Sequence, residues 1–196
     1  MNNNVNVIDL FSGCGGLSLG FKLSGFNIVA AFDNWEAAMK VYEKNFDHKI
    51  YDCDLSNIKD YDCFISLKPD CIIGGPPCQD FSSAGKRDEN LGRADLTIKF
   101  AEIVCNVKPE WFVMENVNRI TKSNVLKRSI DIYKKHGYGL TSTVLDASYC
   151  NVSQARKRFF LIGHLLSQDG FLDNYLLKNQ SQKPMTLYDY FGNELG

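Results

Sequence analysis

Five short stretches of this 196-residue chain combine residue types that do chemistry with places where the backbone must turn. The first is Phe11-Ser12-Gly13-Cys14-Gly15-Gly16, directly after the apolar run Val5–Leu10. Glycines there admit positive φ and let a ligand approach the backbone, and the helix that follows offers unpaired N–H groups. A dinucleotide fingerprint, G-x-G-x-x-G, would need glycine where Ser18 stands. NAD is therefore disfavoured and a nucleoside cofactor without a pyrophosphate fits better, beside the alternative of a tight turn with no ligand. The second stretch is acidic: Asp33 closes the run Ile28–Phe32 with Asn34 and Trp35 beside it, and Asp54-Leu55 follows Ile50–Tyr51. An acid at the end of a second strand reaches a ribose diol, and the later acid is placed to accept from an adenine amino group. Taken singly, each is equally a helix N-cap or a surface acid.

The third stretch runs from Gly74 to Ser83, where Pro76 and Pro77 stiffen the backbone immediately before Cys78. A thiol held at the carboxyl edge of a sheet is placed as a nucleophile, provided a base or cation lowers its pKa. A buried cysteine in a rigid turn reads equally well. The fourth is Glu115-Asn116, expected just past the buried strand Trp111–Met114. Partial burial there raises a carboxyl pKa and keeps a proton available. The fifth is Gln154-Ala155-Arg156-Lys157-Arg158; on a strand, alternation sends Gln154, Arg156 and Arg158 to one face. Two guanidiniums there suit a phosphate or a carbonyl oxygen, while a solvated basic face is the plainer reading.

The elements that position these residues follow from hydrophobic periodicity. Val5–Leu10, Ile28–Phe32, Ile50–Tyr51, Cys71–Ile73 and Trp111–Met114 read as buried strands. Leu140–Leu145 and Phe159–Ile162 read as two late strands, antiparallel to each other. Helices are expected over Leu17–Leu23, along the stripe Trp35, Ala38, Met39, Tyr42 and Phe46, over Leu96–Val107 and over Val125–Lys135. Strands alternating with such helices predict an α/β, doubly wound, mostly parallel sheet covered on both faces. After Gly163 the apolar anchors thin out, and residues 164–196 read as a tail behind a domain of residues 1–163.

Composition narrows the class. Twenty-two Lys+Arg against 23 Asp+Glu leave a net charge of −1, with 44% hydrophobic and 23% charged residues. These are the proportions of a folded globular chain. The balance excludes a domain that coats nucleic acid by charge alone. No membrane-length apolar run and no signal-peptide pattern is present. Seven irregularly spaced cysteines suggest neither a disulfide framework nor a zinc cluster. They predict a reducing, cytoplasmic setting in which most cysteines are small core residues.

Taken in order, the motifs resemble the DNA (cytosine-5)-methyltransferase family, a bacterial or phage setting being expected. The matching pieces are Asp9-Leu10-Phe11-Ser12-Gly13-Cys14-Gly15-Gly16, Gly75-Pro76-Pro77-Cys78-Gln79 with Phe81-Ser82, Glu115-Asn116-Val117, and Gln154-x-Arg156-x-Arg158. The resemblance implies the Rossmann-like fold of methyltransferases that use S-adenosylmethionine. It places that cofactor on Phe11, Ser12, Gly13, Gly15, Gly16, Asp33, Asn34, Trp35, Asp54, Leu55, Pro77 and Leu96. It implies that Cys78 attacks C6 of a flipped cytosine in double-stranded DNA, with Glu115 at N3 and with Arg156 and Arg158 near the base carbonyl. Gln79, Ser82, Lys86, Arg87 and Arg93 fall where the family closes over DNA.

Two departures qualify this. Asn151-Val152-Ser153-Gln154 stands where the family has Gly-Val-Pro-Gln, and asparagine tolerates the left-handed turn such a segment needs. The family's target-recognition region and final motifs have no counterpart after Gly163. One reading is the catalytic part of a split restriction-modification enzyme whose second subunit carries recognition. The others are a truncated fold that binds cofactor or a partner without turnover, and an RNA cytosine methyltransferase fragment.

Overall fold

The computed structural model describes residues 5–77 and 96–194. Seven strands form one sheet: β1 (Asn6–Leu10), β2 (Asn27–Asp33), β3 (Lys49–Asp52), β4 (Cys71–Gly74), β5 (Trp111–Val117), β6 (Tyr138–Asp146) and β7 (Lys157–Leu165). Their order is β3-β2-β1-β4-β5-β7-β6. The first five strands run parallel, and β7 inserts antiparallel to both β5 and β6.

Alternation along the central strands explains why both faces are covered. Val7, Ile28, Cys71 and Ile73 point to one face, against Leu17 and Phe21 of α1 (Gly16–Leu23). On the same face, Ala31 and Ile50 meet Tyr42 and Phe46, carried on and just beyond α2 (Glu36–Asn45). Ile8, Leu10, Ile72, Phe112 and Met114 form the other face, with Phe64 of α3 (Asp62–Ile65), Phe100 and Ile103 of α4 (Leu96–Val107), and Leu126 and Tyr133 of α5 (Asn124–Lys135). Phe112 stacks on Tyr133 at 4.2 Å and meets Tyr138 edge-on at 5.2 Å. Aromatic pairs of this geometry add about 0.5–1.5 kcal/mol each beyond the area they bury. The sheet is doubly wound, as the periodicity predicts.

The parallel order reverses between β1 and β4, the strands running outward through β2 on one side and through β5 on the other. The crevice beyond the carboxyl ends of such a pair is where α/β sheets bind ligands. Backbones approach closely there: a Cβ on Gly74 would stand 2.4 Å from the Leu10 carbonyl oxygen and 2.7 Å from the Phe100 ring.

Several local expectations change. Trp35 is 66% exposed and precedes α2 rather than sharing its buried stripe. Glu115 and Asn116 lie within β5, because antiparallel pairing with Phe160 and Phe159 of β7 prolongs that strand to Val117. Gln154 and Arg156 precede β7, so only Arg158 of that trio is a strand residue. Of the six cysteines described, Cys71 and Cys105 are buried while Cys14, Cys63 and Cys150 are exposed; thiols at the edges of apolar runs end at element termini.

β7 continues two residues beyond Gly163. The segment after it carries α6 (Asp173–Lys178) and α7 (Leu187–Phe191). Phe171 packs edge-on against Trp111 at 5.7 Å. Backbone amides of Ser181 and Met185 donate to the carbonyls of Tyr149 and Ser148, which joins this segment to the connection between β6 and β7.

Candidate active site

β1 ends in a loop shaped by its own backbone. Phe11 has φ 56°, a left-handed conformation uncommon for a side chain of that size and a sign of a constrained functional turn. Gly13 (φ 53°) and Gly15 (φ 90°) follow, and Gly15 is the N-cap of α1. The glycines serve different ends. A Cβ on Gly13 or Gly16 would meet nothing within 4 Å. One on Gly15 would stand 2.3 Å from Phe46 and 2.9 Å from Tyr42, so this glycine lets the loop lie on α2.

Asp33 holds the loop from the neighbouring strand. Its carboxylate accepts from the amide of Gly13 at 2.8 Å, and from the amides of Asn34 (2.9 Å) and Trp35 (2.8 Å) at the start of α2. Asp54 is likewise engaged locally, accepting from the Ser56 amide and hydroxyl and from the Asn57 side chain. Hydrogen bonds from Ser56 hold its carboxyl below the ordinary aspartate range. Asp54 thus caps the short turn after it, Asp33 ties the glycine loop to the segment before α2, and Leu55 is buried in the main core.

A cavity of about 580 Å³ opens at the carboxyl edge of β1, β4 and β5. Phe11, Ser12 and Gly16 form one wall, and Glu115, Arg156 and Arg158 come in from the other side beside Gly75. These two groups, far apart in sequence, are the predicted site residues that the fold brings together on one cavity. Gly13, Gly15, Asp33, Asn34, Trp35, Asp54, Leu55, Pro77 and Leu96 are outside its lining. Cys78, Gln79, Ser82, Lys86, Arg87 and Arg93 lie outside the described residues.

The far wall is an ion pair in reach of solvent. Arg158 Nε lies 2.8 Å from Glu115 Oε1, with both side chains about one quarter exposed. Burial pushes the Glu115 carboxyl up, Arg158 and Arg156 pull it down, and burial prevails. Beside it, Asn116 Nδ2 donates to the Pro76 carbonyl oxygen at 2.9 Å, a buried bond across 40 residues of sequence. It ties the Pro76-Pro77 turn to β5. The Asn116 side-chain oxygen accepts from the Val117 amide, so the side chain has no freedom to turn away. Asn151 adopts φ 61°, the left-handed turn expected of it. The Ala147 amide bonds the Arg156 carbonyl oxygen at 3.0 Å, which holds the Arg156 backbone against the segment after β6.

Periodicity and motif spacing did not disclose Asp9, Leu145, Ala147, Cys150 or Phe160 as cavity lining. Asp9 carried a usable signal, an ionisable residue inside an apolar strand; the others look like ordinary strand and turn residues. Cys150 puts a thiol at the cavity, but burial and the Asp146 charge push its pKa up, which disfavours the thiolate. Among the described residues, no cluster of three or more His, Cys, Asp or Glu is arranged for a metal ion, and no helix is long and apolar enough to cross a membrane.

The arrangement matches a known family. The model for C-5 cytosine-specific DNA methylases covers residues 5–194. The chain belongs to that family. The chain is 60% identical over 192 residues to the type II methyltransferase M.HindV of Haemophilus influenzae, covering 97% of this chain and 63% of that protein. It is 50% identical over 195 residues to the type II methyltransferase M.HgiDI of Herpetosiphon aurantiacus, covering 97% of this chain and 62% of the relative. A proposed DNA modification methyltransferase encoded within an E. coli prophage superposes with a TM-score of 0.78 at 29% identity, over 96% of this chain and 54% of that one. The chain thus spans about three fifths of the length of the two type II methyltransferases it matches.

Proposed function

We propose that this chain carries the catalytic part of an enzyme that methylates C5 of cytosine in DNA, with S-adenosylmethionine as methyl donor. The observation that carries the reading is a cavity in which the loop after β1, through Phe11, Ser12 and Gly16, faces a carboxylate–guanidinium pair, in a chain of this family. The residues fit such a cofactor. Gly13 and Gly16 leave open space where a side chain would stand, and Asp9 and Ser12 each keep a buried oxygen without a partner at the same cavity. Phe11, Ser12, Gly13 and Gly16 would hold its amino-acid part, with Asp33, Asn34 and Trp35 toward the ribose and Asp54 and Leu55 toward the base; Pro77 and Leu96 would complete the pocket.

When bound, the cofactor supplies an electrophilic methyl group. The chain's own task is to make C5 of cytosine able to accept it. The Cys78 thiolate adds to C6, forming an S–C6 bond and sending the ring's electrons toward C5 and N3. Glu115, whose burial favours the protonated acid, donates at N3, and Arg158 and Arg156 stabilise the negative charge that develops on the ring. Asn116 holds the Pro76 carbonyl beside this wall. Water takes the C5 proton, the C5–H electrons re-form the C5–C6 double bond, the S–C6 bond breaks to return Cys78 as thiolate, and Glu115 recovers its proton from N3. The target base must leave the duplex to reach this site, and Gln79, Ser82, Lys86, Arg87 and Arg93 would contact the strand.

Recognition of the target sequence lies, in this reading, in a second subunit. Cytoplasmic modification of DNA within a restriction-modification system is the matching biological role. The test is radiolabelled methyl transfer to mixed-sequence DNA, with and without the neighbouring gene product, alongside trapping on DNA containing 5-fluorocytosine. Wild-type protein is expected to form a covalent complex that Cys78→Ser does not. Undiminished transfer by Cys78→Ser would refute the assignment.

A further inference from the structure

The loop that brings Arg156 to the cavity is gathered around Ala147. Its carbonyl oxygen accepts from the amides of Cys150 (2.9 Å) and Val152 (3.2 Å), while its amide donates to the Arg156 carbonyl oxygen at 3.0 Å. Residues 147–156 thus close into a ring, and Ala147, Cys150 and Arg156 all line the cavity. Asp146 caps the start of this ring, its carboxylate accepting from the Ser148 amide (3.1 Å) and hydroxyl (2.8 Å).

The outer side of the ring is held by the segment that follows β7. The amides of Ser181 and Met185 donate to the carbonyl oxygens of Tyr149 (2.9 Å) and Ser148 (2.7 Å). Ser181 Oγ also donates to Asn151 Oδ1 at 3.2 Å. Further back the same segment is tied to β6: the Leu140 amide donates to Asp169 Oδ1 at 2.9 Å, and the Leu172 amide to Thr141 Oγ1 at 3.1 Å. Residues 169–185 are therefore a strap anchored at two places. Arg156 has particular need of it. Arg158 is paired on both sides within the sheet, to Val117 and Leu145, whereas Arg156 precedes β7 and has no such ladder.

We propose that Asn151 and Ser181 are positioning residues for the reaction, their side-chain bond setting the ring and, through Ala147, the place of Arg156 at the cavity. This rests on the function proposed above, in which Arg156 stabilises charge on the base. The identity of residue 151 supports it. A backbone at φ 61° is most easily met by glycine, and a turn alone needs no side chain. Asparagine tolerates that conformation and adds an acceptor, which here is spent on Ser181.

The test turns on Asn151→Gly, which removes the acceptor while easing the backbone turn. If residue 151 served the turn alone, the rate would be unchanged. As a positioning residue, its loss should slow single-turnover methyl transfer about fivefold, the rate equivalent of one ordinary hydrogen bond. The measurement uses the chain together with the neighbouring gene product, and cofactor affinity should stay within about twofold of wild type, because the affected wall faces the base. Ser181→Ala should match this loss, and Ser181→Thr, which keeps the hydroxyl, should restore most of the rate. Both changes cut the same bond, so the double variant should lose no more than either single one. Hydrogen exchange over residues 147–156 of the chain gives a readout free of turnover, and both single variants should raise it to the same extent. An unchanged rate or unchanged exchange in Asn151→Gly, or losses that multiply in the double variant, overturns the inference while the proposed function stands. Absence of methyl transfer by the wild-type protein, with and without the neighbouring gene product, overturns both.

Discussion

The two walls of the cavity are built on different principles. On the β1 side the work is done by backbone: positive φ at Phe11, Gly13 and Gly15, with the carboxylate of Asp33 spent on three amides. On the β5–β7 side it is done by side-chain charge, an ion pair between Glu115 and Arg158 that remains partly exposed. A backbone wall is set once the chain folds and has few states. A charged wall can exchange partners, because Arg158 can release Glu115 when another acceptor or another proton arrives. The first suits a ligand that must be held in one pose, the second a reaction in which charge develops and disappears.

The largest effect that would sharpen this contrast comes from Asp9, the one ionisable residue buried in the backbone wall. Its folded pKa of about 7 exceeds the ordinary 3.8, so between those values the folded state binds more protons than the unfolded one. Its contribution to stability is therefore intact below about pH 4 and is lost as pH rises to 7. At about 1.4 kcal/mol per pKa unit, the loss is on the order of 4–5 kcal/mol. Asp9→Asn should flatten this dependence, so chemical denaturation of the two proteins at pH 5 and pH 8 should show the variant gaining on wild type. Parallel pH profiles would mean the carboxyl is not held neutral.

Gly15→Ala should cost about 3 kcal/mol, combining left-handed strain with a collision against Phe46 and Tyr42. Gly13→Ala, with open space around it, should cost only the backbone strain of about 1 kcal/mol. Equal melting shifts for the two variants would remove the distinction between a packing glycine and a ligand-facing one. On the charged wall the signature should be kinetic. Arg158→Leu is expected to lower single-turnover methyl transfer by about 100-fold, with a melting temperature within a few degrees of wild type. A severe loss of stability instead would make the pair structural. The smallest effect should follow Asp54→Ala, about 1 kcal/mol from a lost cap, read by urea denaturation.

The fold was readable in the sequence because apolar alternation is strong in the central strands; Leu96–Val107 is a helix over the predicted residues. The site was readable only in pieces. Motif order located both walls but not how their residues are used. Asp33 and Asp54 looked like ligand-binding acids, and geometry shows their oxygens already engaged by neighbouring amides and side chains, which spacing does not encode. Glu115 seemed to follow its strand because the partner that lengthens β5, β7, lies more than 40 residues downstream. The hydrogen-bonded path from Asp9 through Ser18 and Tyr42 to His48 was hidden for the same reason, since Ser18, Tyr42 and His48 belong to separate elements and meet only when α1 and α2 dock side by side.

The place of β7 between β5 and β6 has a consequence for synthesis. The five parallel strands are complete by Val117, whereas β6 must wait at the margin until residues 157–165 leave the ribosome and slide in beside it. Arg158, riding on that last strand, reaches the cavity only at the end. A nascent chain would therefore own a finished glycine loop well before it owned the opposite, charged wall, with the exposed flank of β5 as the surface most in need of protection meanwhile.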